Sequence, residues 1–243
     1  MSKQSNLVNN SQDVTVDASG NVGIGYSSPA GNYGKNLQVH TAATSGSSLQ
    51  LTDGTTGGGV NDGFQLICTN GLAYLWNRET SDMVLATSNT ERMRIDSSGA
   101  VTMPAQPAFQ VNPSSNQTNI ATDNSEVTVV FGTEVFDQNA DFASNTFTAP
   151  VTGKYQLNAS LYLLNIDSAA DYYILKIKTS NRDYTIVLDP GRFSGDVVYW
   201  PMGFSVLADM DASDTATIVI QQNGGTAQTD IHTQSKYSGH LVA

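Results

Sequence analysis

The sequence predicts an all-β protein, and three observations carry that expectation. Its apolar residues come in short β-branched or aromatic runs that alternate with polar ones, as strands with one covered face require. Twenty-one glycines, with runs of Ser, Thr and Asn, break those runs at turn spacing. A hydrophobic share of 39% with 14% charged residues suits a chain that folds.

The 243 residues suffice for one large domain or two modest ones. Asp and Glu number 22 against 11 Lys and Arg, a formal net charge of -11, and the basic residues are scattered. Phosphates or anionic headgroups would meet no basic stripe, so neither nucleic acid nor membrane insertion is expected. No apolar run approaches the roughly 18 residues of a membrane-spanning helix, and the opening residues lack the apolar core of an export leader. The single cysteine, Cys68, allows no disulfide within the chain and reads as a small buried hydrophobe.

Three regions follow one another. Residues 1–12 are polar and without periodicity, as in a flexible or attachment tail. Residues 13–104 hold an internal echo: Val16-Asp17-Ala18-Ser19-Gly20-Asn21-Val22 returns as Ile95-Asp96-Ser97-Ser98-Gly99-Ala100-Val101. Each copy reads as a tight hairpin, a polar turn ending in Gly between apolar residues. Between the copies lie the short apolar runs at Leu49-Gln50-Leu51, Gly63 to Ile67, Ala73 to Trp76 and Met83 to Leu85. Strands this short, with thirteen glycines among the first 104 residues, bury little area against their ordering entropy, so this shaft or attachment domain is expected to need neighbouring chains.

Pro104-Ala105-Gln106-Pro107 marks the boundary, since each Pro removes a ladder donor and extends the residue before it. Residues 105–243 are different in character, with longer and more apolar strands. Tyr155, Leu157, Ala159, Leu161 and Leu163 alternate with mostly polar residues and place one face on a core. The same pattern holds for Tyr173, Leu175 and Ile177, for Trp200, Met202, Phe204 and Val206, and for Ala216, Ile218 and Ile220. About eight to ten strands result, enough for a two-sheet sandwich or jelly roll.

Within this region, Asn145-Thr146-Phe147-Thr148-Ala149-Pro150-Val151-Thr152-Gly153-Lys154-Tyr155 resembles the signature segment of complement component-1-q heads. Val135-Phe136-Asp137, the Asp209-Met210-Asp211 turn and the closing Lys236-Tyr237-Ser238-Gly239-His240-Leu241-Val242 resemble that family in the same order. The family's serine-phenylalanine-serine-glycine ending is here Ser235-Lys236-Tyr237-Ser238-Gly239, and its glycine-aspartate turn lacks the Gly, so no ligand residues carry over. Independently of the resemblance, Pro150 and Gly153 would turn the chain into the central strand, with Phe147 and Tyr155 capping the core. The resemblance implies a jelly-roll β-sandwich of the complement component-1-q and tumour-necrosis-factor type, assembled as a homotrimer. Tyr172 and Ile174, on the alternate face of their strand, are the candidate trimer contacts.

Residues 13–104 resemble something else. Asn89-Thr90-Glu91-Arg92-Met93-Arg94-Ile95-Asp96-Ser97-Ser98-Gly99, and Gly20-Asn21-Val22-Gly23-Ile24-Gly25 followed by Ser28-Pro29, are similar to segments of phage tail-fibre and virion proteins. This implies a structural protein of a virion surface: a trimeric short fibre, knob or capsid decoration. Its N-terminal region would meet other virion proteins, and its heads would reach a host-surface glycan or protein. The alternatives are a capsid-stabilising cement trimer without ligand and a secreted recognition ligand of the complement or tumour-necrosis-factor type. The missing leader and missing Gly-X-Y stalk count against the last.

No enzyme is expected. His40, His232 and His240 are far apart in sequence, and neither zinc-hydrolase, P-loop nor nucleophile-elbow spacing occurs. Gly57-Gly58-Gly59 reads as a loop, because no Lys follows to hold a phosphate. No cofactor is expected. Asp209, Asp211 and Asp214 form the densest acidic cluster, a weak calcium candidate that reads first as a solvated acidic turn because its spacing is not that of an EF-hand.

Overall fold

The computed structural model describes residues 14–20, 22–24, 37–41 and 45–243. The attachment tail and the Gly25 and Ser28-Pro29 part of the first virion-like segment lie outside these residues. The chain forms two compact units, Met1–Thr102 and Met103–Ala243. Both consist of strands, and among the described residues no helix is long and apolar enough to cross a membrane.

Among the described residues the first unit has three small sheets. Strands β1 (Val14–Val16) and β2 (Val22–Ile24) pair antiparallel, and β3 (Leu37–Val39) joins β2 in parallel. Strands β4 (Ser47–Leu51), β5 (Phe64–Thr69) and β6 (Leu72–Asn77) form an antiparallel meander. So do β7 (Met83–Thr87), β8 (Thr90–Ile95) and β9 (Val101–Thr102). The two echo segments do form hairpins with the same closure: the Gly20 amide donates to the Asp17 carbonyl at 3.0 Å and the Gly99 amide to the Asp96 carbonyl at 2.9 Å. Both glycines have positive φ, 80° and 91°, which accounts for Gly at the end of each turn. The Asp96 carboxylate also accepts from the Ser98 and Ala100 amides, and with the Ser98 hydroxyl these hold its pKa below the usual range.

Cys68 departs from expectation. It is exposed, because β5 alternates and Cys68 falls on the face of Phe64 and Leu66, which this unit leaves open. Among the described residues of this unit no apolar side chain is fully buried; every buried hydrophobic residue lies beyond residue 108.

The second unit is a sandwich of two six-stranded antiparallel sheets. Strands β10 (Ala108–Asn112), β11 (Val127–Thr128), β12 (Thr133–Asp137), β13 (Phe142–Ala143), β14 (Thr146–Thr148) and β15 (Gly153–Ile166) come first. They are followed by β16 (Tyr172–Thr179), β17 (Asp183–Leu188), β18 (Val197–Met210), β19 (Thr215–Asn223), β20 (Asp230–Ile231) and β21 (Lys236–Leu241). One sheet runs β12-β10-β21-β15-β18 with β20 beside β15, and the other runs β13-β14-β19-β16-β17 with β11 beside β19. From β14 onward the chain passes repeatedly between sheets, so sequence neighbours such as β15 and β16 face each other across the core. This is the jelly-roll arrangement. Twelve strands exceed the eight to ten read from the sequence, because β13 and β20 are two-residue pieces with no periodicity to detect.

The alternation translates directly into packing. Tyr155, Leu157, Ala159, Leu161 and Leu163 are buried, as are Tyr173, Leu175 and Ile177 and the inward residues of β19. Met202 is buried too, while Trp200, Phe204 and Val206 are only partly covered at the sandwich margin. The ring of Phe109 stacks on Phe147 at 4.7 Å and on Phe142 at 5.3 Å, and meets the Tyr237 ring edge-on at 5.0 Å. At the Pro150–Gly153 corner the Tyr155 hydroxyl donates to the Val151 carbonyl at 2.7 Å, tying the turn to the strand it feeds. Phe147 and Tyr155 lie 5.4 Å apart there, both fully buried. The C-terminus is pinned alongside, the Val242 amide donating to the Lys154 carbonyl at 2.8 Å.

Candidate functional site

The jelly-roll unit has two outward sheet faces of opposite character. On the sheet containing β16, the residues pointing away from the core are Tyr172, Ile174, Lys176 and Lys178. Tyr172 and Ile174, the contacts expected from the sequence, are half-buried, and Ile174 sits between Gln221 and the exposed Val187 in the ladder. The rest of this face is charged. Lys176 bonds Glu126 at 2.7 Å and lies 3.6 Å from Asp183, and Lys178 bonds Glu126 at 2.6 Å. The two ammonium groups hold the Glu126 carboxyl below its ordinary pKa, Lys176 contributing most.

The face of the β15 and β18 sheet is sparsely charged. Its cross-strand rows are Gln156 with Leu207 and His240, Asn158 with Ser205 and Ser238, Ser160 with Gly203 and Lys236, Tyr162 with Pro201, and Leu164 with Tyr199 and Asp230. The middle is a small polar seam, the Ser205 hydroxyl donating to Asn158 Oδ1 at 2.7 Å. Towards one end the Tyr162 and Tyr199 rings stack at 5.8 Å and 15°, and the His232 ring meets Tyr162 edge-on at 5.3 Å. His232 Nδ1 accepts from the Gln234 amide at 3.1 Å, so its hydrogen in the neutral ring is on Nε2. Tyr199 is 60% exposed and Leu207 57%. Charge enters this face at one end, where Lys154 pairs with Asp209, at Lys236 on β21 opposite Ser160, and at Asp230 on β20 opposite Leu164. Gly203 keeps the face flat, since a Cβ there would lie 2.6 Å from the Ala159 carbonyl oxygen. The sequence reading missed this face, although the polar positions between its core residues on β15 were the available signal.

The acidic cluster is engaged by groups of this chain. Asp209 is engaged by Lys154, and Asp214 Oδ2 accepts from the Asp211 amide at 2.8 Å and from Asn181 Nδ2 at 2.7 Å. The Asp214 carboxylate thus caps its own turn, and among the described residues no three metal-ligating side chains converge. Other acids act similarly: Asp137 accepts the Asp141 and Phe142 amides, and Asp196 accepts from Ser168 and Gln228. Asp141 is the exception in its titration, its pKa raised by burial and then by the neighbouring Asp137.

No protein-family model and no curated protein matches this chain. Among solved structures, the globular domain of zebrafish complement 1qA protein is similar over 57% of this chain and 98% of its own, at 16% identity and a TM-score of 0.40. Murine APRIL at pH 8.0 is similar over 56% of this chain and 99% of its own, at 11% identity and a TM-score of 0.41. The jelly-roll assignment itself rests on the strand order and the alternation of buried residues in this chain.

Proposed function

We propose that this chain is a non-catalytic, homotrimeric structural protein of a virion surface, a short fibre, knob or capsid decoration whose jelly-roll heads bind a host-surface glycan or protein. The observation that carries the self-association is the sparsely charged, tyrosine-bearing face of the β15 and β18 sheet. It lies over a complete core, so the head does not need a partner to fold. Exposed Tyr199 and Leu207 remain on it. Aromatic anchors amid uncharged groups are the composition of an interface centre, whereas the ion pairs around Glu126 suit a solvated face. The virion placement is supported by the resemblance of Asn89 to Gly99 to virion segments, and binding by three linked heads would gain avidity from weak single contacts.

Sedimentation equilibrium of the full chain tests the assembly. The expected mass is three times 25.8 kDa, and a monomer at every concentration overturns the reading. Electron microscopy of intact particles labelled with an antibody against residues 105–243 tests the placement. Label at tail or fibre tips supports receptor binding, label over the capsid supports decoration, and unlabelled particles from a producing host overturn the virion assignment.

A further inference from the structure

The sheet of β4, β5 and β6 is covered on the opposite side from the one a solvated monomer would cover. Its ladder rows place Ser47, Cys68 and Ala73, then Leu49, Leu66 and Leu75, then Leu51, Phe64 and Asn77 on one face. The other face carries Gln50 and Gln65 in its covered part, and beyond them Tyr74, Trp76 and Leu72, which stay partly exposed. There the chain closes over itself: Gln50 Nε2 donates to the Gly59 and Asp62 carbonyls at 2.8 Å, and Gln65 donates to the Val60 carbonyl at 3.1 Å. Arg78 donates to Gln65 at 3.1 Å and lays its guanidinium 3.7 Å above the Trp76 ring. Gln65 is consequently 5% exposed, while Leu49, Leu51, Leu66 and Leu75 on the aliphatic face are 43%, 56%, 41% and 62% exposed.

We infer that this leucine face is the contact through which copies of the same unit pack on one another, a second interface that rests on the self-association proposed above. Three features select a second copy as the occupant. All nine positions of the face are uncharged, so it complements itself and offers nothing to an ionic partner. The unit buries no apolar side chain fully among its described residues, so it needs a cover that is present whenever the chain is made. The four leucines leave on the order of 400 Å2 of aliphatic surface open, already a large patch for a monomer. Leu37 and Leu85, 57% and 44% exposed, border hollows continuous with it. With them the surface reaches about 600 Å2, near the ~800 Å2 per partner of a stable interface.

Cys68 lies on this face and is the only thiol in the chain, which makes it a direct probe. The native full chain is treated with a bulky maleimide while its mass is measured in the same buffer. Labelling of Cys68 is expected to be about 100-fold slower than in denaturant. A thiol moved to the opposite face, Leu72→Cys in a Cys68→Ser background, is expected to label rapidly. In Leu75→Asp, Cys68 is expected to lose its protection while the heads keep their fold. A multimer whose Cys68 labels as fast as the denatured chain overturns the leucine-face contact and leaves head association standing. A monomer with a reactive Cys68 overturns both.

Discussion

The two units solve the same problem in opposite ways. The second unit places Tyr155, Leu157, Leu161, Tyr173, Ile177 and Tyr237 between two sheets and excludes water from all of them. The first has strands of at most six residues in single-layer meanders, and its leucines remain in contact with solvent. A single sheet layer has two faces and can close only one with its own loops. Here the loop between β4 and β5 closes over the glutamines, so on the packing proposed above the stability of this unit is a property of the assembly, whereas that of the head belongs to the chain.

The sharpest way to break this comparison is a pair of matched truncations. Leu161→Ala, in the head core, is expected to cost about 2–5 kcal/mol in urea unfolding, through lost burial and the cavity left behind. Leu75→Ala in dilute monomer is expected to change stability by less than about 0.5 kcal/mol, since that side chain is already wet. Equal losses would show that the first unit has a core of its own.

A smaller effect tests how tightly the head is packed. In Gly239→Ala the new Cβ would lie 2.7 Å from Leu157 Cδ2 and 2.8 Å from Phe109 Cε1, and overpacking is expected to cost about 1–3 kcal/mol. Tyr237→Phe has the opposite sign. The Tyr237 hydroxyl is fully buried without a hydrogen-bond partner, and burial raises its pKa, so its removal is expected to raise the unfolding free energy by up to about 1 kcal/mol. A loss of stability in that variant would mean that the hydroxyl is satisfied, for instance by water.

The smallest expected effect concerns the charged face. The Glu126 pKa is depressed in the folded head, so its contribution is complete above the unfolded carboxylate value and disappears as pH falls through the folded one. Glu126→Gln is expected to cost a few tenths of a kcal/mol at neutral pH, and nothing once acid has protonated the wild-type carboxyl. Urea midpoints of both proteins across the acid limb check this. A difference that persists in acid would assign the effect to packing.

The all-β class, the two echo hairpins and the inward residues of β15, β16 and β19 were legible in the sequence, because strand periodicity is local and a two-residue repeat marks its covered face. The Phe147 to Tyr155 corner was legible for a similar reason, being set by Pro150, Gly153 and the residues between them. Cys68 was misread because alternation names a face without saying whether anything covers it. The Asp209, Asp211 and Asp214 cluster was ambiguous in the same sense, since composition does not reveal that Lys154, from 55 positions earlier, and Asn181 occupy its oxygens. Sequence by itself therefore determined the strands and their sides. Only the tertiary structure decided which sides meet, which face gathers Tyr162 and Tyr199 and which leucines are left bare, because those outcomes depend on pairings between segments far apart in the chain.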